Sequence, residues 1–246
     1  MVEIGLVAAG LSVGVMSGFF GIGGGTVMVP FLLYLGFGIK EAIGMSVTQM
    51  VAGALFAALL HQRKQVYTTE HIRFFGYGGL MGAVAGGILV KVLDATLLGW
   101  LFLGIVAFTL LRLFLSSPTP SHGEVVNHPL YVMIGSCVGV FSGMLGVGGS
   151  ILMTPILVSF LGFELKKAAA VGQFFVIFTS MSAFVTLWIL GYIHLYYGII
   201  LAGVSLAGVW AGVTLAHRTK TANYKQALVL FYVIIFVLTA KKLLIG

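Results

Sequence analysis

The sequence predicts an all-α polytopic membrane protein made of two homologous, inverted halves, each a glycine-rich broken hairpin plus three transmembrane helices. Three observations predict it. Hydrophobic residues make up 60% of the chain and charged residues 8%, against about 25% charged in an ordinary soluble domain. Eight apolar segments follow one another along the chain, and six of them have the length of a single span, about 20 residues. One motif of seventeen residues occurs twice, as GVMSGFFGIGGGTVMVP at 14–30 and as GVFSGMLGVGGSILMTP at 139–155.

The first apolar segment, 4–37, has 34 residues, too many for one span and too few for two. It carries the first motif. In a helix interior glycine costs about 1 kcal/mol against alanine and proline about 3, so the run Gly21 to Gly25 with Pro30 is a poor continuation of a helix. A lipid-exposed loop is excluded at that depth, because its N–H and C=O groups would find no partner. The prediction is a hairpin of two short arms with the glycines at its turn. The opening MVEIGLVAAG carries Glu3 and no basic residue; it reads as the start of this segment rather than a cleaved signal. Segments 39–60, 72–93 and 97–115 then follow as single spans.

The polar stretch 116–129 (SSPTPSHGEVVNHP) holds three of the five prolines. It reads as a linker between a first repeat, 1–115, and a second, 130–246. The second repeat opens on another segment of 34 residues, 130–163, which carries the second motif, and continues with 167–190, 197–216 and 226–244. At an offset of 125, nine of the seventeen motif positions are identical, including Ser17/Ser142, Gly21/Gly146, Gly24/Gly149 and Pro30/Pro155. Beyond the motif the likeness continues at an offset of 126: LGF 35–37 with LGF 161–163, Lys40 with Lys166, Gly82 with Gly208. Glycine and alanine runs at 78–87 and 203–213 suit close helix packing.

Charge sets the topology. If the two long segments each crossed once, the basic residues would divide 6 to 7 between the faces. If each is a hairpin that leaves where it entered, Arg63, Lys64, Arg73, Arg112, Lys166, Lys167, Arg218, Lys220 and Lys225 share one face. Lys40, Lys91, Lys241 and Lys242 share the other, a split of 9 to 4. Cytoplasmic loops collect Lys and Arg, so the hairpin arrangement is preferred. It places both termini outside the cytoplasm, in a cell (inner) membrane, and inverts one half with respect to the other. The glycine turns then enter from opposite faces and meet near the midplane.

Such a meeting can hold an anion. The first turn of a helix offers free N–H groups and a partial positive charge, and each second arm is expected to start near Thr26 or Ser150, residue types that cap helices well. Glycine lets backbone amides approach a ligand. The candidate binding residues are therefore Ser17, Gly18, Gly21, Gly23, Gly24, Gly25, Thr26 and Gln49 in the first half. In the second they are Ser142, Gly143, Gly146, Gly148, Gly149, Ser150 and Gln173. The alternative is that the glycines only permit tight helix crossing. Ser46, Thr48, Thr179, Ser180 and Ser182 could also face an anion, or could bond between helices. His61 is either a proton carrier or an interfacial residue. Arg112, Lys241 and Lys242 lie near segment ends and snorkel.

Other function classes are disfavoured. The net charge of +7 comes from residues flanking apolar segments, with no basic cluster for nucleic acid. The motif is not GxxxxGK[ST], and no strand precedes its glycines. The single Cys137 rules out an internal disulfide, and the histidines sit in loops or at segment ends, so no metal, haem or other cofactor is expected. The chain is not expected to be an enzyme. All six carboxylates fall at segment ends or in loops, which leaves no intramembrane acid for a proton or sodium relay. An exported anion needs none, since an interior-negative potential drives it outward. The expected partners are a small anionic substrate and the lipid bilayer; the sequence leaves homo-oligomerisation open.

SGFFGIGGGTVMVP with its second copy SGMLGVGGSILMTP resembles the paired signature of the sulfite exporter TauE/SafE family, also called the toluene sulfonate uptake permease family. The likeness extends through AIGMSVTQ at 42–49, LLHQRKQV at 59–66 and GGLMGAVAGG at 78–87. It implies a multi-pass inner-membrane permease for sulfite or organosulfonates. Gly172 and Gln173 stand where many relatives have a Thr-Ser pair, which would suit a different anion. An anion channel and a proton-coupled importer remain alternatives on the same scaffold.

Overall fold

The computed structural model describes residues 2–63, 69–115, 125–218 and 221–245. Lys64, most of the linker (116–124) and Lys220 lie outside the described residues, as do the side chains of Glu3, His61, Arg63, Glu70, His71 and His217. Within the described residues all regular structure is helical: α1 (Val2–Phe20), α2 (Gly25–Tyr34), α3 (Ile39–Arg63), α4 (Thr69–Val92), α5 (Ala95–Leu115), α6 (His128–Leu145), α7 (Ser150–Leu161), α8 (Leu165–Ile189), α9 (Leu195–Arg218) and α10 (Thr221–Ile245). Seven of them are long and apolar enough to cross a membrane; the apolar parts of α1, α2 and α7 are shorter. The protein is a polytopic helical membrane protein.

Both long apolar segments break at their glycines, α1 from α2 and α6 from α7. The directions of neighbouring helices follow from their glycine contacts. Side chains added at Gly10, Gly14 and Gly18 of α1 would meet Leu201, Ser205 and Val209 of α9, in that order. Gly78, Gly82 and Gly86 of α4 lie in the same way against Val132, Ser136 and Val140 of α6. Each pair therefore runs side by side in one direction, with glycines every fourth residue admitting the partner's backbone. Small residues at this spacing are how helices associate in lipid, where no hydrophobic force drives them together.

α3 also runs with α9: Gly198 lies against Thr48, and Gln49 bonds to Ser205. So α1 and α3 point the same way, and α2 between them must double back. The end of α2 indeed adjoins the start of α1, at Leu35 and Gly5. The second break turns likewise: Val125 N–H, before α6, donates to the Leu161 carbonyl at the end of α7 (3.1 Å). α3 and α4 are antiparallel, since Lys40 Nζ reaches the Lys91 carbonyl (3.5 Å), and so are α8 and α9, since Lys166 Nζ reaches the Ala216 carbonyl (3.4 Å). The central helices α3 and α8 thus run in opposite directions.

α2 has 10 residues and α7 has 12, or about 15 and 18 Å of rise, half of a hydrocarbon core about 30 Å thick. The first six residues of each, Gly25 to Pro30 and Ser150 to Pro155, are all buried, so the broken backbone is covered by protein, as a break at membrane depth requires. Each carries its motif proline inside the helix. Pro155 cannot donate to the Ile151 carbonyl four residues back; the Thr109 hydroxyl of α5 donates to it instead (3.2 Å).

Candidate functional site

The same three glycines in each motif have positive φ: Gly21, Gly23 and Gly24 in the first, Gly146, Gly148 and Gly149 in the second. Only glycine adopts that conformation without steric cost. The two breaks touch, because a Cβ on Gly25 would fall on the Gly146 carbonyl. Segments 125 residues apart in sequence are thereby brought tip to tip. Met50 of α3 and Val176 of α8, counterparts at the repeat offset, lie between the tips: Gly23 and Gly148 pack on Val176, Gly25 and Gly148 on the Met50 sulfur.

One expectation needs correction. The N-caps of α2 and α7 are Gly24 and Gly149, and no side chain caps either helix. Thr26 and Ser150 lie inside the first turn because the glycines already make the turn. Their hydroxyls are fully buried without a hydrogen-bond partner. With side-chain caps absent, the partial positive charge of each helix start is left to whatever occupies the space in front of it.

The unpartnered atoms are concentrated here. Six buried side-chain polar atoms lack a partner among the described residues: Ser17 Oγ, Thr26 Oγ1, Gln49 Oε1, Ser150 Oγ, Thr154 Oγ1 and Gln173 Nε2. All belong to the two motifs or to the central helices beside them. Gln173 accepts from Gly23 N–H through Oε1 (3.3 Å) and leaves its Nε2 donor over. Gln49 donates to Ser205 Oγ (3.1 Å) and leaves Oε1 over, lying against Gly24. Ser205 Oγ itself donates to the Ala202 carbonyl (2.9 Å), so it accepts from Gln49 and keeps that amide with Oε1 towards Gly24. Four hydroxyls and the Gln173 amide are thus donors without an acceptor among the described residues. A buried polar group left unpaired costs about 1–3 kcal/mol, and a ligand with several acceptor oxygens would relieve the cluster.

Other candidates have structural partners. Ser46 donates to the Gly146 carbonyl (2.8 Å) and Thr179 to the Gly148 carbonyl (3.0 Å), fixing the second break. Ser182 bonds across to the Leu80 carbonyl (2.8 Å), while Thr48 and Ser180 bond within their own helices. Gly18 and Gly143 sit one turn before the breaks and admit the backbones of Val209 and Ala83. Ser142 is buried beside Gly149. Sequence reasoning misses Thr154 and Ser205. The first was visible as a threonine where the first motif has Val29; the second carries no signal beyond being polar in an apolar run. Glu41, Asp94 and Glu164 are exposed at helix starts, and among the described residues no three metal-ligating side chains come together.

Residues 6–239 match the family model described as sulfite exporter TauE/SafE. A Haemophilus influenzae protein named probable membrane transporter protein is 26% identical over 89% of this chain and 86% of its own length. The Bacillus subtilis probable membrane transporter protein YunE is 23% identical over 97% of this chain and 96% of its own. An Arabidopsis thaliana protein, sulfite exporter TauE/SafE family protein 3, is 28% identical over 42% of this chain and 21% of its own length. No solved structure matches. A match over nearly the whole length, on a fold whose two glycine breaks meet among unpartnered polar groups, makes the chain a member of the sulfite exporter TauE/SafE family of membrane transporters.

Proposed function

We propose that the protein is a permease for small sulfur-containing anions, sulfite or organosulfonates, and that it works in the direction of export. The observation that carries this is the cluster of buried, unpartnered polar atoms at and beside the two touching breaks. Two uncapped N-termini supply roughly half a positive charge each, and the hydroxyl and amide donors match the acceptor oxygens of an SO₃ group. No formal charge is needed, so the anion is held and released without a strong ion pair. The halves sit inverted in the inner membrane with both termini outside; the opposite directions of α3 and α8 and the loop charges support this. Rocking of one half against the other would expose the tips to each face in turn.

The test is flux of labelled sulfite from proteoliposomes of the purified chain. Saturable flux is expected, and Gln173→Leu, which removes the spare amide donor, is expected to lower it by about tenfold or more. Flux that does not saturate, or a Gln173→Leu rate equal to the unaltered protein's, would sink this reading.

A further inference from the structure

A cavity of about 350 Å³ opens beside the first break, between α1, the start of α8 and the adjoining ends of α9 and α10. Its rim carries Glu164, Lys166 and Lys167, and Ala216. Its floor is Gly18, Gly21 and Ala169, with Gly21 so close that an added Cβ would sit 2.7 Å from the Ala169 carbonyl. Tyr224, which also lines it, donates to the Phe20 carbonyl at the end of α1 (2.9 Å) and holds that wall in place. One turn beyond Ala169 on α8 is Gln173, with its spare buried Nε2. Residues four apart share a helix face, so cavity and binding cluster lie along one line.

The repeat counterpart of this line is different. At the offset of 126, Ala169 corresponds to Ile43 and Gln173 to Val47. Both are fully buried, and Gly146, the counterpart of Gly21, packs directly on Ile43. The charges differ too: Lys166 and Lys167 correspond to Lys40 and Glu41. Glu41 accepts from Gly38 N–H (3.1 Å) and lies 3.7 Å from His194. Both glycines pack on a central helix, but beside Gly21 the residues are small and a cavity with a basic mouth opens, whereas beside Gly146 they are bulky, apolar and fully buried.

We infer that this cavity is the vestibule through which an SO₃-bearing anion reaches the tips from the lysine-rich face, and that Ile43 with Val47 forms the closed apolar gate on the opposite approach. The inference rests on the reading of the chain as an anion permease, but its first test does not. In a Cys137→Ser background, Ala170→Cys places a thiol on the vestibule wall. Arg218→Cys, exposed at the same end of the bundle, reports which face of sealed vesicles that end occupies. A methanethiosulfonate bearing a sulfonate should modify Ala170→Cys from that face about tenfold faster than one bearing a trimethylammonium. Lys166→Gln with Lys167→Gln should abolish the preference. Equal rates for the two reagents, a preference indifferent to the lysines, or reaction only from the other face overturns the vestibule. Separately, Ala169→Ile copies the closed counterpart and should cut sulfite flux by about tenfold while the purified protein keeps its size-exclusion profile. Full flux in that variant excludes this route, whereas failure of sulfite flux in the unaltered protein would strike the substrate and leave the thiol result standing.

Discussion

Thr154 stands in the second motif where the first has Val29, and that single difference separates binding from folding at one side chain. Its hydroxyl is buried and unpartnered, facing Gly172 together with Ser150. Thr154→Val keeps the shape and removes the unsatisfied donor. It is expected to stabilise the empty protein by about 1 kcal/mol, a melting shift of about 2–4 °C for a chain of this size. At the same time it should raise the sulfite concentration for half-maximal flux several-fold. A thermal melt and a flux titration on the same preparation check it; a destabilised protein with unchanged flux would show that Thr154 is merely structural. The polar residues of the cluster are legible in the sequence because they interrupt apolar runs. Which of them lack partners is not legible, since that depends on neighbours 31 to 156 residues away in the chain. Ser46 and Thr179 lie in the same apolar runs as Gln49 and Gln173, yet their hydroxyls are spent on carbonyls of the second break.

At the scale of elements, glycine does two separate jobs here. In the breaks it supplies positive φ; along α1, α4, α6 and α9 it admits a neighbouring backbone. The second job predicts a contrast between helical glycines. A Cβ at Gly82 would collide with the Ser136 carbonyl, while Gly104 has open space around it. Gly82→Ala should therefore force α4 from α6 and destabilise by about 1–3 kcal/mol. Gly104→Ala should be neutral or stabilising by up to about 1 kcal/mol through helix propensity. Thermal stability of the two variants in detergent gives the answer, and equal effects would discount the packing account. The broken segments were readable from length and glycine content alone. The N-caps were not, because Thr26 and Ser150 look like caps until the backbone shows that Gly24 and Gly149 have already turned the chain. Nor was the pairing of α1 with α9 and of α4 with α6, which exchanges partners between the halves and which local pattern cannot encode.

At the scale of the whole molecule, the proposed anion site lies between the two breaks, and the three carboxylates Glu41, Asp94 and Glu164 are exposed at helix starts, which bears on what would drive transport. Uncoupled export, as proposed above, would draw only on the substrate gradient and the membrane potential. With the interior negative, moving one negative charge outward gains about 2.3 kcal/mol per 100 mV, which sustains a concentration ratio of about 50 at equilibrium. The asymmetry of the two approaches fits this direction: the basic mouth at Lys166 and Lys167 faces the side that the loop charges assign to the cytoplasm, where an exported anion must be collected. Proteoliposomes loaded with labelled sulfite, with a potassium diffusion potential and no pH gradient, should release it faster when the vesicle interior is negative and slower when the sign is reversed. Reversal of the sign should change the rate for the unaltered protein and for Lys166→Gln with Lys167→Gln alike, because the lysines set capture at the mouth and not the charge carried across. A rate indifferent to the potential would mean that each anion moves with a compensating cation or exchanges for another anion. Uncoupled export would then be wrong even if sulfite were the substrate.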